Sequence, residues 1–160
     1  WGEKYTHGTW LRRAIEEGLI SGAVQVGIRG PQYDRSDFDY ARESPVPIRT
    51  IMMSEVEARG IDWLINELRS ILRGPVYITF DIDSVDPAYA PGTGTREPGG
   101  FTSRETLVII RSLVQAGFEL VGFDVVEVSP PLDTANITSL LAANIIYQAM
   151  SMKARQVSNK

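Results

Sequence analysis

The chain has 160 residues, of which 43% are hydrophobic and 22% are charged, with a net charge of -4. This composition is typical of a globular protein with a sizeable core, and no apolar run reaches the about 18 residues of a membrane span. The acidic balance and the lack of a basic tract argue against nucleic acid as the main partner, and without a long apolar run we expect no membrane partner. With no cysteine, the chain forms neither disulfides nor thiolate metal sites.

The first residues, WGEKYTHGT, include neither an initiator Met nor a signal-like segment. We therefore expect a piece of a longer protein that lacks upstream residues. A cytoplasmic location is our expectation for that protein.

One helix and two strands are predicted in the first third of the chain. Thr9 is a typical N-cap, and apolar side chains at positions 11, 14 and 15 fall on one helical face. Residues 23–29 and 48–53 have strand patterns. The stretch between these strands is polar and turn-rich, with room for one short helix.

Helices and strands continue to alternate in the middle of the chain. Ser54 and Glu57 form a capping-box pattern at the start of one long amphipathic helix. Residues 76–83 predict a third strand, and its nearly continuous apolar run is typical of a parallel strand covered on both faces. A long loop rich in Gly and Pro follows this strand.

The last third of the chain repeats the alternation. Thr102 and Glu105 form a second capping box, and residues 119–130 predict a fourth strand. Residues 137–150 predict a helix that is apolar on most sides and therefore buried, followed by a frayed tail. Strands that alternate with helices predict an α/β fold with a mostly parallel sheet.

Two aspartates, Asp81 and Asp83, end the third predicted strand, where open α/β sheets bind ligands. Residues i and i+2 of a strand share a face, so these carboxylates would repel each other and lose solvation. A hard divalent cation removes both costs. The alternatives are a pair of turn or helix-capping aspartates, or a magnesium transferase, although no phosphate-cradling glycine motif follows a strand.

Other residues are also candidates for chemistry. Glu127, near the end of the fourth predicted strand, needs either a cationic ligand such as a guanidinium or a salt bridge to an Arg. His7, the single histidine, is either an exposed loop residue or a proton shuttle. The loop at residues 91–95 can bring backbone close to a ligand, whereas Asp86 is a typical turn residue.

Three segments, YTHGT (residues 5–9), FDIDSVDPAYAPGTGTREPGG (80–100) and GFDVVEVSPPLD (122–133), resemble signatures of the ureohydrolase family, which includes arginase and agmatinase. The agmatinase-type resemblance covers nearly the whole chain. It implies a three-layer α/β/α sandwich with a mostly parallel sheet, of which residues 1–160 are the C-terminal portion of one domain. Family members use two manganese ions (Mn2+) to supply the hydroxide that converts a small guanidino substrate to urea and an amine. They are usually homo-oligomers.

The resemblance also implies a role for each candidate residue. Asp81 would bridge the two manganese ions, and Asp83 would chelate one of them. Glu127 would hold the substrate guanidinium, and Thr95 would shape its pocket. His7 would contact the substrate and pass a proton to the leaving amine.

One departure from the family pattern concerns the metal. The family takes its other ligands from a Gly-Gly-Asp-His and an Asp-Ala-His-x-Asp motif, and neither occurs here. We therefore expect half of a metal site, with no binuclear manganese and no turnover in this chain alone. A non-catalytic metal- or partner-binding protein is the alternative from another class.

A second departure concerns the substrate. Arginases place acidic residues after the strand that matches residues 26–29, to bind the α-amino group of arginine, whereas this chain has Gly30-Pro31-Gln32. The difference favours agmatine, with putrescine as the product, or a guanidino acid such as 4-guanidinobutyrate. Aspartates in the following loop favour agmatine and arginines favour the acid. The charged residues concerned are Asp34, Arg35, Asp37, Asp39 and Arg42.

Overall fold

The computed structural model of the chain describes residues 2–31, 36–113 and 117–158. The chain divides into two compact units, residues 1–52 and residues 53–160. Within the described residues, no helix is both long and apolar enough to cross a membrane. The assignment of residues 1–160 to one domain stays a prediction.

The first unit contains the predicted helix and the first two strands. Helix α1 (Trp10–Glu16) precedes strand β1 (Ala23–Ile28), and helix α2 (Ser36–Glu43) precedes strand β2 (Ile48–Met52). The two strands pair in parallel, with an irregularity at Gly27, whose φ is 88°. The order of these elements confirms the pattern predicted from periodicity.

The cap predicted for α1 is confirmed in its position but not in its side-chain hydrogen bond. Thr9 occupies the N-cap position, but its side chain makes no hydrogen bond to the helix. Its hydroxyl instead donates to the carbonyl oxygens of Lys4 and Thr6, at 3.0 Å and 3.2 Å. Thr9 therefore closes the turn that contains His7.

The second unit contains the other pair of parallel strands and the remaining α-helices. In chain order its elements are α3 (Met53–Arg59), α4 (Ile61–Ile71), β3 (Pro75–Asp81), α5 (Ser103–Leu113), β4 (Glu119–Val126) and α6 (Ile137–Ser158). Asp81 lies opposite Val126 at the carboxyl ends of β3 and β4. Because the strands run in the same direction, the segments that follow them start at the same edge.

The core of this unit lies between the strand pair and helices α5 and α6. Its members are buried apolar residues, namely Ile82, Val85, Ala90, Ile110, Leu141, Ala142 and Ile145. Partly buried Phe80 of β3 and Phe123 of β4 pack against them. Since Ile82 and Val85 lie within four residues of the end of β3, the core anchors the carboxyl edge of the strand pair.

One predicted helix proves to be two. α3 and α4 are separated at Gly60, whose φ of 84° is costly for any residue with a side chain. The first capping box is also wrong, because α3 begins at Met53 and therefore includes Ser54. The second box is confirmed: the Glu105 N–H donates to Thr102 Oγ1 at 3.1 Å, and the Thr102 N–H donates to Glu105 Oε2 at 2.8 Å.

The expectation that β3 is covered on both faces is wrong for the described residues. Tyr77 is 58% exposed, and Thr79 on the same face is exposed too. Both hydroxyl groups donate to the carboxylate of Asp124 on β4, each at 2.7 Å. This face of the strand pair therefore carries polar cross-strand hydrogen bonds in addition to apolar side chains.

Helix α6 is longer and more exposed than predicted. It continues through the segment predicted to fray, and Leu140 on its outer side is 72% exposed. The side-chain amide of Gln156 accepts from the Leu120 N–H at 3.0 Å and donates to the Phe118 carbonyl at 2.8 Å. Lys153 Nζ donates to the Leu120 carbonyl at 2.8 Å. These contacts with the start of β4 order the last turns of the helix.

Gln156→Ala is therefore expected to lower the free energy of unfolding by about 1–2 kcal/mol, because two buried backbone groups lose their partner. Gln148→Ala is the matched control, since Gln148 lies on the same helix and makes an exposed bond to Asn144. Urea denaturation measures both variants. Equal stability of the two would contradict a structural role for Gln156.

Candidate active site

Asp81 and Asp83 lie at the carboxyl end of β3 but not in the same element. Asp81 is the last residue of β3, whereas Asp83 lies in the 3₁₀ turn Ile82–Ser84, so the same-face argument for a strand does not apply to this pair. The Asp83 N–H donates to Asp81 Oδ1 at 3.1 Å, and Ser84 Oγ donates to the Asp81 carbonyl at 2.7 Å. Asp81 thus has the turn-capping contact that was the alternative to metal binding.

Negative charge is concentrated around Asp81. Burial raises the pKa of Asp81 to about 7, and the charges of Asp83 and Glu127 act in the same direction. Asp81 is partly buried, and a partly buried carboxylate beside like charges is costly to ionise unless a cation is close. This edge of the strand pair therefore favours a positively charged ligand.

The loop between β3 and α5 returns to these carboxylates. Thr95 Oγ1 donates to Asp83 Oδ2 at 2.5 Å. Asp86 accepts from the Ala88 N–H at 2.9 Å with one oxygen and from the Gly99 N–H at 2.7 Å with the other, so it joins the two ends of the loop. The predicted turn role of Asp86 is confirmed, but its second contact was not apparent from local sequence.

Glu127 follows β4 directly and is exposed. Its φ of 64° is unusual for a residue with a side chain, and such conformations cluster at functional sites. The next residue, Val128, pairs with Thr93 of the β3–α5 loop. None of the ion pairs found among the described residues involves Glu127, so nothing there supports the salt-bridge alternative.

His7 lies in the first unit, whereas the other candidate residues lie in the second. It is exposed and belongs to a turn closed by the Thr9 N–H and the Thr6 carbonyl at 3.1 Å. The structure brings together the candidates of the second unit, namely Asp81, Asp83, Thr95 and Glu127. The role of His7 stays a prediction.

The loop predicted to select the substrate is only partly described. Gln32, Asp34 and Arg35 lie outside the described residues, and so does the side chain of Asp37. On α2, Arg42 forms an ion pair with Asp39.

The donor set suits part of a metal site. Among the described residues, no three His, Cys, Asp or Glu side chains are arranged to hold a metal ion. Asp81 and Asp83 offer the hard oxygen donors that suit Mn2+ and Mg2+, at a place where positive charge would relieve the repulsion between them. These two residues therefore fit a metal ion that takes its remaining ligands from elsewhere.

Sequence patterns did not indicate the residues that hold the β3–α5 loop. Asp133 and Thr138, at the start of α6, contact Gly92 of that loop, and the bond between Gly92 and Thr138 spans 46 positions. Asp133 falls within the GFDVVEVSPPLD signature, but periodicity gives such a loop residue no role.

Comparisons with known proteins identify the class. A model of the arginase family matches residues 1–152. Guanidinobutyrase from Pseudomonas aeruginosa is 45% identical over 152 residues, which cover 93% of this chain and 46% of that protein. The mitochondrial agmatinase of Gallus gallus is 43% identical over 152 residues, covering 93% of this chain and 42% of that protein.

The fold comparison agrees with the family match. The solved structure of proclavaminate amidino hydrolase from Streptomyces clavuligerus superposes with a TM-score of 0.86 and 44% identity, covering 97% of this chain and 51% of that one. The chain belongs to the arginase family, and its relatives include a guanidinobutyrase and an agmatinase. The predicted resemblance and the α/β arginase-like fold are confirmed. The chain spans about half the length of the curated relatives it matches.

Proposed function

We propose that this chain supplies one half of a ureohydrolase active site, which hydrolyses a guanidino compound to urea and an amine. The observation that carries the proposal is the convergence of Asp81, Asp83, Thr95 and Glu127 at the carboxyl edge of β3 and β4. Open α/β sheets bind their ligands at this edge. Membership of the arginase family supports the reaction class.

Each residue has a chemical role in this proposal. Asp81 and Asp83 would hold two manganese ions together with ligands from elsewhere, and when bound these ions supply a nucleophile from water near neutral pH. Glu127 offers a planar carboxylate to the fork of N–H donors of a guanidinium. Because the Thr95 hydroxyl donates to Asp83, its oxygen remains an acceptor for a substrate N–H. His7 would pass a proton to the leaving amine.

We propose agmatine as the substrate and 4-guanidinobutyrate as the second candidate. The segment after β1 lacks the acidic residues with which arginases bind the α-amino group, and this difference supports both candidates over arginine. Agmatinase at 43% identity supports the first candidate, and guanidinobutyrase at 45% identity supports the second. A homo-oligomer and a cytoplasmic location belong to the same proposal.

The test replaces the matching segment of two hosts, the Pseudomonas aeruginosa guanidinobutyrase and the Gallus gallus agmatinase, with this chain. Both manganese-loaded chimeras are expected to release urea from agmatine faster than from 4-guanidinobutyrate or arginine, and each unmodified host is its control. Faster release from 4-guanidinobutyrate by both would assign the second candidate. A preference that follows the host would show that this chain does not select the substrate.

Two outcomes would contradict the proposal more broadly. Correctly folded chimeras that release no urea from any of the three compounds would exclude the proposed function. Urea release by the 160-residue chain alone, at a rate typical of enzymes, would contradict the expectation that it holds only half of a site.

A further inference from the structure

Left-handed backbone conformations are concentrated next to the candidate site. Among the described residues, the non-glycine residues with positive φ are Glu127 (64°), Ala135 (59°) and Asn136 (58°). Residues with a side chain other than Asn and Asp seldom adopt this conformation unless surrounding contacts hold it. The segment from Glu127 to Asn136 is therefore held in place by contacts outside itself.

Asp133 makes these contacts with the start of α6. The turn at Ala135 and Asn136 places its Oδ1 2.9 Å from the Thr138 N–H and its Oδ2 2.8 Å and 2.6 Å from the N–H and hydroxyl of Ser139. Burial raises the pKa of Asp133, but these hydrogen bonds outweigh burial and lower it to about 2. Asp133 thus caps α6 as a fixed, ionised carboxylate.

Gly92 of the β3–α5 loop fits between Asp133 and α6. Its N–H donates to Thr138 Oγ1 at 2.7 Å, and its carbonyl accepts from the Ser129 N–H at 2.8 Å. A Cβ at Gly92 would lie 2.5 Å from the Cβ of Asp133. Thr138 is fully buried, so water does not replace its hydroxyl as the acceptor for Gly92.

Residues that follow Gly92 in the loop contact the candidate site at two places. Thr93, the next residue of the loop, pairs with Val128, which follows Glu127. Two residues further along the loop, Thr95 donates to Asp83. One set of contacts at the start of α6 therefore holds both the loop with Thr95 and the segment with Glu127.

We propose that Asp133 and Thr138 are positioning residues. Asp133 fixes the first turn of α6, and the Thr138 hydroxyl binds Gly92. These contacts keep Thr95 and Glu127 beside Asp81 and Asp83. The catalytic part of this proposal, that the arrangement serves hydrolysis, rests on the proposed function. The structural part, that the arrangement orders the loop, is independent of the proposed function.

The structural part is tested by NMR on the 160-residue chain with the Thr138→Val variant, which keeps the side-chain shape and removes the hydroxyl. The Gly92 amide is expected to exchange about tenfold faster or more, and the Thr95 and Glu127 amide signals are expected to shift or broaden. Thr138→Ser should restore the original exchange rate and signals. Thr106→Val is the matched control, because Thr106 is also buried and its hydroxyl has no hydrogen-bond partner among the described residues.

Unchanged Gly92 exchange in Thr138→Val, or unchanged Thr95 and Glu127 signals, would overturn the proposal. Asp133→Asn is the second variant if Thr138→Val fails to fold. It keeps one acceptor for the helix, and the same amide signals are expected to change.

The catalytic part is tested in the agmatinase chimera. Thr138→Val is expected to raise KM for agmatine about tenfold, because misplaced substrate-holding groups weaken binding, and Thr138→Ser should restore it. A role in folding alone would lower the amount of active enzyme, and thus the apparent kcat, at unchanged KM, and that result would overturn the catalytic part. If the unsubstituted chimera releases no urea, the proposed function fails, and the NMR result still decides whether Thr138 positions the loop.

Discussion

Asp81→Asn and Asp83→Asn are each expected to lower urea release by the agmatinase chimera about a hundredfold or more. Each substitution removes a charged oxygen ligand, and a catalytic metal contributes several kcal/mol of transition-state stabilisation. Asn keeps the shape of the side chain and the acceptor that Asp81 presents to the Asp83 N–H. The loss should therefore occur without unfolding, and initial rates and circular dichroism measure the two effects separately.

Asp124→Asn is the matched control for this loss. Asp124 lies on β4, and each of its two carboxylate oxygens accepts a hydrogen bond from a hydroxyl group on β3. Its replacement removes one negative charge from the same strand pair without removing a proposed ligand. Equal losses in Asp124→Asn and Asp81→Asn would show that overall charge, and not metal binding, explains the effect.

Gly92→Ala is expected to destabilise the chain by about 1–3 kcal/mol. The added Cβ would lie 2.5 Å from the Cβ and 2.8 Å from the Cα of Asp133, and because one of these atoms belongs to the backbone, it cannot move aside like a flexible side chain. The loop or the start of α6 must therefore shift. Thermal and urea unfolding of the 160-residue chain measure this cost.

Gly94→Ala, in the same loop, is the control for Gly92→Ala. Nothing lies within 4 Å of a Cβ built at Gly94, so the change in stability should stay within about 0.5 kcal/mol. If both variants lose the same stability, the loop disfavours alanine in general and the close approach of Gly92 to Asp133 is not the cause.

Local sequence predicted the structure well where a short motif or the order of the elements decides it. The capping box of Thr102 and Glu105 and the parallel strands are examples. It failed where long-range contacts decide. Gln156 orders the end of α6 by a hydrogen bond with β4, and the hydroxyl groups on the outer face of β3 donate to Asp124. Neither contact leaves a periodic pattern in the sequence.

The site was predictable to a similar extent. Asp81 and Asp83 follow an apolar strand, and their types alone suggested a cation site. Strand periodicity nevertheless placed Asp83 in the wrong element, because it does not show where a strand becomes a 3₁₀ turn. The contacts of Asp133 with the start of α6 depend on the left-handed turn at residues 135 and 136. Asn136 is of a type that favours this conformation, but Ala135 is not, so local sequence does not predict the turn.

The most direct test of the proposed site is anomalous diffraction at the manganese edge from a crystal of the agmatinase chimera grown with Mn2+. We predict manganese peaks bonded to the carboxylate oxygens of Asp81 and Asp83, with Glu127 facing them across the substrate space. Manganese held only by residues of the host, with Asp81 and Asp83 bound to none of it, would contradict the proposal that this edge of the strand pair is half of a metal site.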